Sequence, residues 1–407
     1  MAAETTSSDV LVIGGGIAGM LIARELRRLG ASVTLVERGR LGMASSALNA
    51  GGVREQFFQE ENVRAAMATV AFLAGFRAEH GIDIGFRQHG YLYLYSTGQQ
   101  RDRLQEGITA QNAAGVPSRL VTLDEVRELA PAVNTEGLLG GCYGPTDGYL
   151  NPRELMPAIA QITRRSGVTV AEDTPVAALR IAGDRVTGAV TAAGTFTAGL
   201  VVNAAGAWAP AVAAQYGGSL PITPRRSQVF AIDSAHGLPP VLPAGMPHSF
   251  DLSGGFYVRP AGDGAWSGAA FKPVLDSAPA TLDAQWVEAG ELHRRLGRRV
   301  PVLAGHEFSR AWAGVIEVTP DDNPIIGWTG PAGLYTAAGF SGHGMCIAPG
   351  IAGPAAAEIL GADAGLDLGL YRPERFQSGA APRPEGMWLS ERPAEFAQWA
   401  APAETVR

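Results

Sequence analysis

The residues whose spacing most clearly predicts chemistry form a glycine pattern near the amino terminus. Gly14, Gly16 and Gly19 follow the β-branched run DVLVI and precede a stretch with helical apolar periodicity. In such a pattern the first glycine permits a tight turn, the second lets a pyrophosphate approach the backbone, and the third lets helix and strand pack closely. Amides at the helix start then face the anion. Glu37, at the end of the next strand, would bind ribose hydroxyls and repel a 2′-phosphate, so the pattern predicts a site for an adenosine diphosphate moiety.

Four polar side chains further along the chain are candidates for contact with a substrate. Arg54 follows a glycine pair, and its guanidinium could hold a carboxylate through two parallel hydrogen bonds. Arg259 offers the same chemistry on a predicted strand, and Tyr257 could donate its hydroxyl to the same ligand. His343 lies between two glycines, where it could contact a substrate or neutralise a negative charge. Each of the four could instead make only a structural salt bridge or hydrogen bond, and the sequence leaves both interpretations open.

Other kinds of catalytic site are disfavoured by their spacing. Ser341, in GFSGH, misses the spacing of a nucleophile elbow by one residue, which argues against a hydrolase. The histidines form no HExxH or similar pair, and Cys142 and Cys346 are too few for a zinc site of the usual spacing or a disulfide framework. We therefore predict no metal site. The basic run at 293–299 is expected to be a solvated helix face.

The composition predicts a folded protein of more than one domain. At about 150 residues per domain, 407 residues should form two or three folding units. Hydrophobic residues make up 46% and charged residues 17%, which is too apolar for a disordered chain. A net charge of −7 argues against nucleic-acid binding. No apolar run reaches about 18 residues and the amino terminus has no charged, signal-like region, so we expect a cytoplasmic protein without a membrane segment.

Periodicity indicates which elements must position these residues. Strand, helix and strand follow one another within residues 9–37, which is the smallest parallel βαβ unit. Apolar residues three and four apart predict a helix over 60–80, and another helix is expected over 151–166. A strand at 334–337 should lead through a glycine loop into a late helix, and the Pro- and Ala-rich tail after 377 is expected to lie on the surface. Further strands are expected near 87–96, 168–171, 176–181, 185–191, 200–203, 225–232, 256–259 and 265–269.

A set of motifs in a fixed order adds a family resemblance. After the glycine pattern and Glu37 come SSALNAGGVREQF (45–57), GYLYL (90–94), VVNAAGAW (201–208), WAGVIEVTPDDNPIIG (312–327) and GFSGHGMCIAPG (339–350). Over roughly residues 8–365 the chain resembles the D-amino-acid-oxidase-type FAD-dependent oxidoreductases. Within that family it most resembles the branch of sarcosine oxidase β subunits and N-methyl-amino-acid and proline dehydrogenases.

The resemblance implies a fold of class α/β combined with α+β. A Rossmann-like FAD-binding domain, discontinuous over 8–85, 145–220 and 320–376, would carry a mixed β-sheet substrate domain over 86–144 and 221–319, followed by a tail over 377–407. The residues predicted to contact FAD, from the glycine pattern and from the resemblance, are Gly14, Gly16, Ile17, Ala18, Gly19, Glu37, Arg38, Ser45, Ser46, Asn49, Ala50, Gly51, Gly52, Val176, Ala205, Gly206, Trp208, Gly339, Gly342, His343, Gly344 and Met345.

The chain departs from its relatives at several positions. Some relatives attach the flavin through a histidine where residues 48–49 are Leu-Asn here, and others through a cysteine near the WAG segment, where this chain has none, so we predict non-covalent FAD. Ile316 replaces an arginine that many relatives use to bind the substrate carboxylate. A lysine after the GHG-like loop is replaced by Met-Cys at 345–346, and a lysine that promotes the reaction with oxygen is replaced near Trp266. These departures leave the substrate and the reaction with oxygen open.

The function implied by the resemblance is oxidation of the C–N bond of a small amino acid or secondary amine. An N-methyl or cyclic imino acid would pass a hydride to flavin N5, and O2 or another acceptor would reoxidise the flavin. The chain could form a homo- or hetero-oligomer. Two alternatives stay open: an FAD-dependent 2-hydroxy-acid or alcohol dehydrogenase, and a flavin-bearing subunit or assembly protein that uses the fold as a partner surface.

Overall fold

The computed structural model describes residues 5–234, 239–270, 272–377 and 383–385. Helices and strands are numbered in chain order. Within these ranges the α-helices are α1 (Ile17–Arg28), α2 (Glu60–His80), α3 (Gly98–Ala113), α4 (Leu123–Leu129), α5 (Pro152–Arg165), α6 (Ala209–Ala214), α7 (Ala289–Arg299) and α8 (Gly344–Ile359).

A six-stranded sheet holds the glycine pattern. Its strands lie in the order β19 (Ile325–Trp328), β20 (Leu334–Ala338), β13 (Leu200–Asn203), β2 (Val10–Ile13), β3 (Val33–Val36) and β9 (Thr169–Ala171). All neighbours are parallel except β19 and β20. Every residue of β2 and β3 is buried, because a parallel sheet is covered on both faces. The carboxyl ends of β2, β3 and β13 therefore meet at one edge, where a ligand can bind.

Two layers cover this sheet. On one face α8 packs against α1 and α2, and α1 also packs against α5. On the other face, Leu11 and Val201 of the large sheet share an apolar cluster with Val186 and Phe196. The latter two belong to a four-stranded sheet in the order β1 (Thr5–Ser7), β12 (Gly194–Thr197), β11 (Arg185–Thr191) and β10 (Val176–Ala182).

An eight-stranded mixed sheet forms the second large layer. Only one pair of neighbouring strands in this sheet, residues 248–251 with residues 91–95, is parallel. Leu92 and Leu94 point to one face, where they pack with Phe256 beneath α4 and α7. The alternating residues of the run YLYLY therefore point to the opposite face. The strand order is β18 (Arg310–Val318), β14 (Thr223–Ile232), β17 (Gly264–Ala269), β16 (Phe256–Ala261), β15 (His248–Asp251), β5 (Tyr91–Tyr95), β7 (Gly140–Gly144) and β6 (Arg119–Val121).

A short antiparallel ribbon, β4 (Gly52–Val53) with β8 (Gly148–Tyr149), lies beside the eight-stranded sheet. The strands of the six- and eight-stranded sheets come from separate stretches of the chain. This separation of the strands supports the predicted FAD-binding and substrate domains, whose boundaries stay a proposal.

Most predicted elements are present, but several observed elements were not predicted, among them α3, α4, α6, β7, β15 and β18. Helix α3 was not predicted, because its sequence, GQQRDRLQEGITAQNA, is polar and offers little apolar periodicity. The expectation that the tail after residue 377 lies on the surface is wrong at Glu385, which is fully buried. Its carboxylate accepts hydrogen bonds from the backbone N–H groups of Phe58 and Gln59, which explains the burial. Residues 378–382 and 386–407 of the predicted tail lie outside the described residues.

Candidate active site

A cleft of about 350 Å³ opens at the carboxyl edge of the six-stranded sheet. One end is formed by the first turn of α1 and the ends of β2, β3 and β13. The other end is formed by residues 44–49, the end of β18 and the loop before α8. The residues predicted to contact FAD that line this cleft are Gly14, Gly16, Ile17, Ala18, Glu37, Arg38, Ser45, Ser46, Asn49, Val176, Ala205, Gly206, Trp208, Gly342, Gly344 and Met345.

The glycine pattern is built for close backbone approach. Gly14 has φ of 107°, and a Cβ at this position would lie 2.4 Å from the carbonyl oxygen of Ala204. A Cβ at Gly19 would lie 1.9 Å from the carbonyl oxygen of Gly14. Gly19 therefore permits the contact between helix and strand and does not itself line the cleft. Ser46 Oγ accepts the N–H of Ile17 at 3.0 Å and so joins the 44–49 loop to the start of α1.

Glu37 and Arg38 shape the end of the cleft at β3. The Glu37 carboxylate accepts the N–H groups of Gly15 at 2.7 Å and Gly39 at 2.8 Å, so it fixes both adjoining loops. Its contact with a ribose stays a prediction. The Arg38 guanidinium lies 3.6 Å from the ring centre of Trp208, whose indole N–H donates to the carbonyl of Ala278 at 2.7 Å. Together they offer a flat surface suited to an aromatic base.

Six residues predicted to contact FAD do not line the cleft: Gly19, Ala50, Gly51, Gly52, Gly339 and His343. Gly51 has φ of 73°, and a Cβ there would lie 2.0 Å from the carbonyl oxygen of Leu150. A Cβ at Gly339 would lie 2.6 Å from the methyl group of Thr319. Conformation and packing thus account for these two glycines, and their contact with FAD stays a prediction.

Glu317 lines the cleft and was missed from the sequence. It follows Ile316 at the end of β18, and a Cβ on Gly206 would lie 3.8 Å from its Oε1. Burial raises the pKa of the Glu317 carboxyl to about 7, although its own N–H and that of Phe340 donate to it. Only its place in the WAG segment could have suggested it. This carboxyl holds its proton more readily than an ordinary glutamate.

An aromatic row crosses the face of the eight-stranded sheet opposite its apolar core. The Tyr91 ring stacks on the His248 imidazole with centres 4.4 Å apart and planes 12° apart. Tyr257 lies 5.2 Å from His248 on the other side, and Tyr93 lies 5.0 Å from Tyr91. The row exists because β5, β15 and β16 are neighbours and these residues point to the same face.

Gly52 lies directly against this row. A Cβ at Gly52 would be 3.0 Å from His248 Cε1 and 3.3 Å from Tyr91 Cε2, so a larger residue would push the row away. The Cys346 thiol donates to the Gly52 carbonyl at 3.6 Å. The start of α8 and the Gly52 ribbon therefore meet beneath the aromatic row.

Arg54 and His343 meet on the ring of Phe57. The Arg54 guanidinium lies 4.0 Å from the ring centre of Phe57, and the His343 imidazole packs edge-on against the same ring at 5.4 Å. Arg54 also donates to the carbonyl of Gln56. Arg54 and His343 are therefore close to each other through Phe57. Tyr257 lies nearby, because it packs on His248, which Gly52 contacts in the same segment as Arg54.

Arg259 has a different environment from the other three candidates. Its guanidinium donates to the carbonyl oxygens of Ala50 at 2.6 Å, Pro260 at 2.7 Å and Leu150 at 3.0 Å. Its guanidinium also stacks on Trp266 at 4.2 Å. Burial lowers the pKa of Arg259 to about 10. Arg259 therefore fastens the sheet to the 50–52 segment, and these engaged donors count against its predicted role as a carboxylate clamp.

His248 is a second residue that sequence reasoning missed. It is 2% exposed, and its Nδ1 has no hydrogen-bond partner among the described residues. Burial, and then the charges of Arg259 and Arg54, hold the pKa of His248 well below its ordinary value. Burial also raises the pKa of Tyr93 to about 12. The row therefore presents a neutral imidazole beside neutral phenols.

A buried carboxylate holds the loop that carries Arg54. Asp147 accepts the N–H of Glu55 at 2.7 Å and the amide of Gln56 at 2.8 Å, and the Cys142 thiol donates to Gln56 Oε1 at 3.1 Å. Burial raises the pKa of Asp147 to about 7. Cys142 is part of this network and is buried and free.

Two of the altered positions, Ile316 and Trp266, lie on β18 and β17 of the eight-stranded sheet. Ile316 lines the cleft, and Trp266 packs edge-on against Trp312 at 4.8 Å. The one lysine of the chain, Lys272, donates to the carbonyl of Ala269.

Across the part of the chain that the structure describes, no three His, Cys, Asp or Glu side chains are grouped to hold a metal ion. No helix in the same residues is long and apolar enough to cross a membrane.

Comparison with known proteins agrees with this geometry. The profile of the DAO family, described as FAD dependent oxidoreductase, matches residues 9–358. Glycine oxidase from Geobacillus kaustophilus (strain HTA426) is 30% identical over 356 residues, which cover 84% of this chain and 90% of that protein. The chain therefore belongs to the FAD-dependent oxidoreductase (DAO) family.

Other similar proteins differ in length and in the reaction for which they are named. Mitochondrial dimethylglycine dehydrogenase from Rattus norvegicus is 28% identical over 390 residues, covering 91% of this chain and 45% of that protein, so this chain spans about half its length. The crystal structure of L-proline dehydrogenase from P. horikoshii matches with a TM-score of 0.85 and 30% identity, over 92% of this chain and 99% of that chain.

The predicted fold class and the FAD cofactor are confirmed by family membership. The residues present also fit this cofactor. Gly14 leaves no room for a side chain at the strand end, the first turn of α1 lines the cleft, and the cleft continues to the loop before α8. An elongated dinucleotide matches a cleft with polar walls at both ends.

Proposed function

We propose that this member of the DAO family oxidises the C–N bond of a small amino acid whose nitrogen carries an alkyl group. The observation that carries the proposal is the neutral His248, stacked between Tyr91 and Tyr257, in the same neighbourhood as the guanidinium of Arg54. Glycine oxidase and the N-methyl-amino-acid and proline dehydrogenases among the relatives support this class of substrate.

Arg54 would hold the substrate carboxylate. Its side chain lies on Phe57, which fixes the plane of the guanidinium. Many relatives have an arginine at the position of Ile316, which lines the cleft. Arg54 can supply the positive charge here, because its guanidinium donates to the carbonyl of Gln56, whereas Arg259 donates to three carbonyls. A bidentate pair with a carboxylate would fix the substrate's orientation.

His248 would accept a hydrogen bond from the N–H of the neutral substrate nitrogen. Oxidation requires a neutral amine, because the nitrogen lone pair must form the iminium as the hydride leaves. The Nδ1 atom is buried without a partner, and the lowered pKa keeps it unprotonated and able to accept a hydrogen bond. The flanking rings of Tyr91 and Tyr257 offer apolar faces to an N-alkyl group.

When bound, FAD supplies the hydride acceptor. We propose that it is held without a covalent bond, because residues 48–49 are Leu-Asn. The aromatic row and the Gly52 ribbon exclude water from the reacting carbon, since Tyr91 and Tyr257 are each only 7% exposed. The buried setting also supports a small substrate.

Steady-state kinetics with sarcosine and L-proline tests this assignment. Arg54→Ala should raise KM by about a hundredfold or more, as expected for a lost charged hydrogen bond of about 3 kcal/mol, and Arg54→Lys should recover part of it. His248→Gln, which removes the imidazole nitrogen that would accept the hydrogen bond, should lower kcat/KM. Arg127→Ala, an exposed arginine of α4 that pairs with Asp124, serves as control. Unchanged KM in Arg54→Ala would remove Arg54 from the site.

A further inference from the structure

We propose that Glu385 is a positioning residue for the substrate site. It lies near the carboxyl end of the chain, yet it fixes the beginning of α2 and the adjoining loop that carries Arg54 and Phe57. The inference rests on the proposed function only in assigning Arg54 and Phe57 to the substrate site.

Glu385 is bound through every polar atom of its side chain. One carboxylate oxygen accepts the N–H of Phe58 at 2.8 Å, and the other accepts the N–H of Gln59 at 2.9 Å and the Asn62 amide at 2.9 Å. Its own N–H donates to the carbonyl of Asp321 at 2.9 Å. The residue is 0% exposed. Three donors on one buried carboxylate make a closed and specific contact.

Helix α2 needs this carboxylate because its own sequence does not cap it. The first N–H groups of a helix have no intrahelical acceptors, and a Ser, Thr, Asp or Asn side chain usually accepts one of them. Here the N-cap residue is Gln59, and its side chain makes no cap hydrogen bond. Glu385 binds the N–H groups of Phe58 and Gln59, the two residues that precede the helix, and its carboxylate lies near the positive end of the helix.

The capped segment is the wall of the substrate site. Phe57 immediately precedes Phe58, and its ring carries Arg54 at 4.0 Å on one side and His343 at 5.4 Å on another. A shift of the Phe58 and Gln59 amides would move this ring and therefore the guanidinium. The geometry thus links Glu385 to substrate orientation without direct contact.

The other side of Glu385 is anchored in a rigid turn. Asn323 donates to the carbonyl of Arg383 at 2.8 Å, and Asn62 donates to Asn323 at 2.7 Å. Asp321, whose carbonyl binds Glu385, forms a buried ion pair with Arg375 at 2.7 Å. Residues 383–385 therefore join the 319–324 turn to the beginning of α2.

The test compares Glu385→Ala with Glu374→Ala in the FAD-loaded protein. Glu374 is also a glutamate, but it is exposed, so it is a matched control. Glu385→Ala should raise KM for sarcosine or L-proline by about ten- to a hundredfold, as expected for a small misplacement of a binding group, with kcat changed less and FAD content unchanged. Hydrogen exchange at the Phe58 and Gln59 amides should accelerate at least about tenfold.

Two outcomes would overturn the proposal. One is KM and amide exchange in Glu385→Ala that match Glu374→Ala. The other is measured on Glu385→Gln, which also serves if the alanine variant fails to fold. Glutamine keeps the size of the side chain but turns an N–H donor toward the backbone amides. A glutamine variant with the wild-type KM and wild-type exchange would show that packing alone matters. Arg54→Ala in parallel separates the two claims: if it leaves KM unchanged, the substrate site is misassigned, while the exchange result still decides the role of Glu385.

Discussion

The pH dependence of FAD binding is the sharpest consequence of Glu317. Its carboxyl lines the cofactor cleft, and burial raises its pKa to about 7. FAD carries negative charge on its pyrophosphate and would bury the carboxyl further. Both effects favour the protonated form in the complex. FAD should therefore bind most tightly below pH 7, and its affinity should fall as the pH rises through the pKa of Glu317.

The magnitude follows from one proton. If FAD binds only the neutral carboxyl, the Kd grows as one plus ten to the power of pH minus pKa, so a pKa of about 7 gives a rise of roughly tenfold at pH 8 and roughly a hundredfold at pH 9. Partial binding to the charged form would reduce this rise. Glu317→Gln removes the titrating group and should bind FAD with a nearly constant Kd over the same range.

Calorimetric titration of apoprotein with FAD measures both quantities. Repeating it at pH 8 in two buffers with different ionisation enthalpies should show uptake of close to one proton for wild type and close to none for Glu317→Gln. Gly75→Ala, in an open position of α2, controls for handling of the apoprotein. A wild-type Kd that does not change between pH 6 and pH 9, or a glutamine variant with the same slope as wild type, would refute the reasoning.

Three further predictions concern stability and cofactor retention. Gly19→Ala should lower the free energy of unfolding by about 3 kcal/mol or more and abolish FAD retention, because its Cβ would lie 1.9 Å from a backbone oxygen. Gly75→Ala should instead raise the free energy of unfolding by about 0.5–1 kcal/mol. Thermal unfolding and flavin release measured on both variants compare them. Asp321→Ala should lower the free energy of unfolding by about 3–5 kcal/mol by breaking the buried ion pair with Arg375, and denaturant titration that finds less than about 1 kcal/mol would contradict this. Because burial raises the folded-state pKa of Asp147 to about 7, its contribution to stability is present at low pH and lost as the pH rises through 7; the apoprotein should thus lose Tm between pH 5 and pH 8, and Asp147→Asn should lose less. Equal losses in both proteins would exclude Asp147 as the cause.

The parts of this molecule that local sequence determines were predictable. Glycines at the start of α1 and the apolar spacing within α2 act over a few residues, and the structure has both elements where the pattern places them. The ends of β2 and β3 follow from the same βαβ unit. These features predict a site for an adenosine diphosphate moiety, whereas FAD and the fold class follow from the ordered motifs that the chain shares with its family.

The substrate site depends on contacts between distant segments. His248 has no local motif, and its position arises only because β15 pairs with β5 and brings it onto Tyr91. Glu385 likewise gains its role from contact with the backbone amides of Phe58 and Gln59, which are far from it in the sequence. Arg259 shows the reverse case: its residue type suggested a ligand contact, while its hydrogen bonds go to backbone carbonyls that the sequence does not reveal.

The central claim is that this protein removes a hydride from a carbon next to nitrogen. Anaerobic mixing of the FAD-loaded protein with sarcosine, N,N-dimethylglycine, L-proline, glycine or a 2-hydroxy acid, followed by the flavin absorption band, tests it most directly. We expect at least one N-alkyl amino acid to bleach the band, and His248→Gln to slow the bleaching. Bleaching by 2-hydroxy acids alone, or by none of these compounds, would contradict the account.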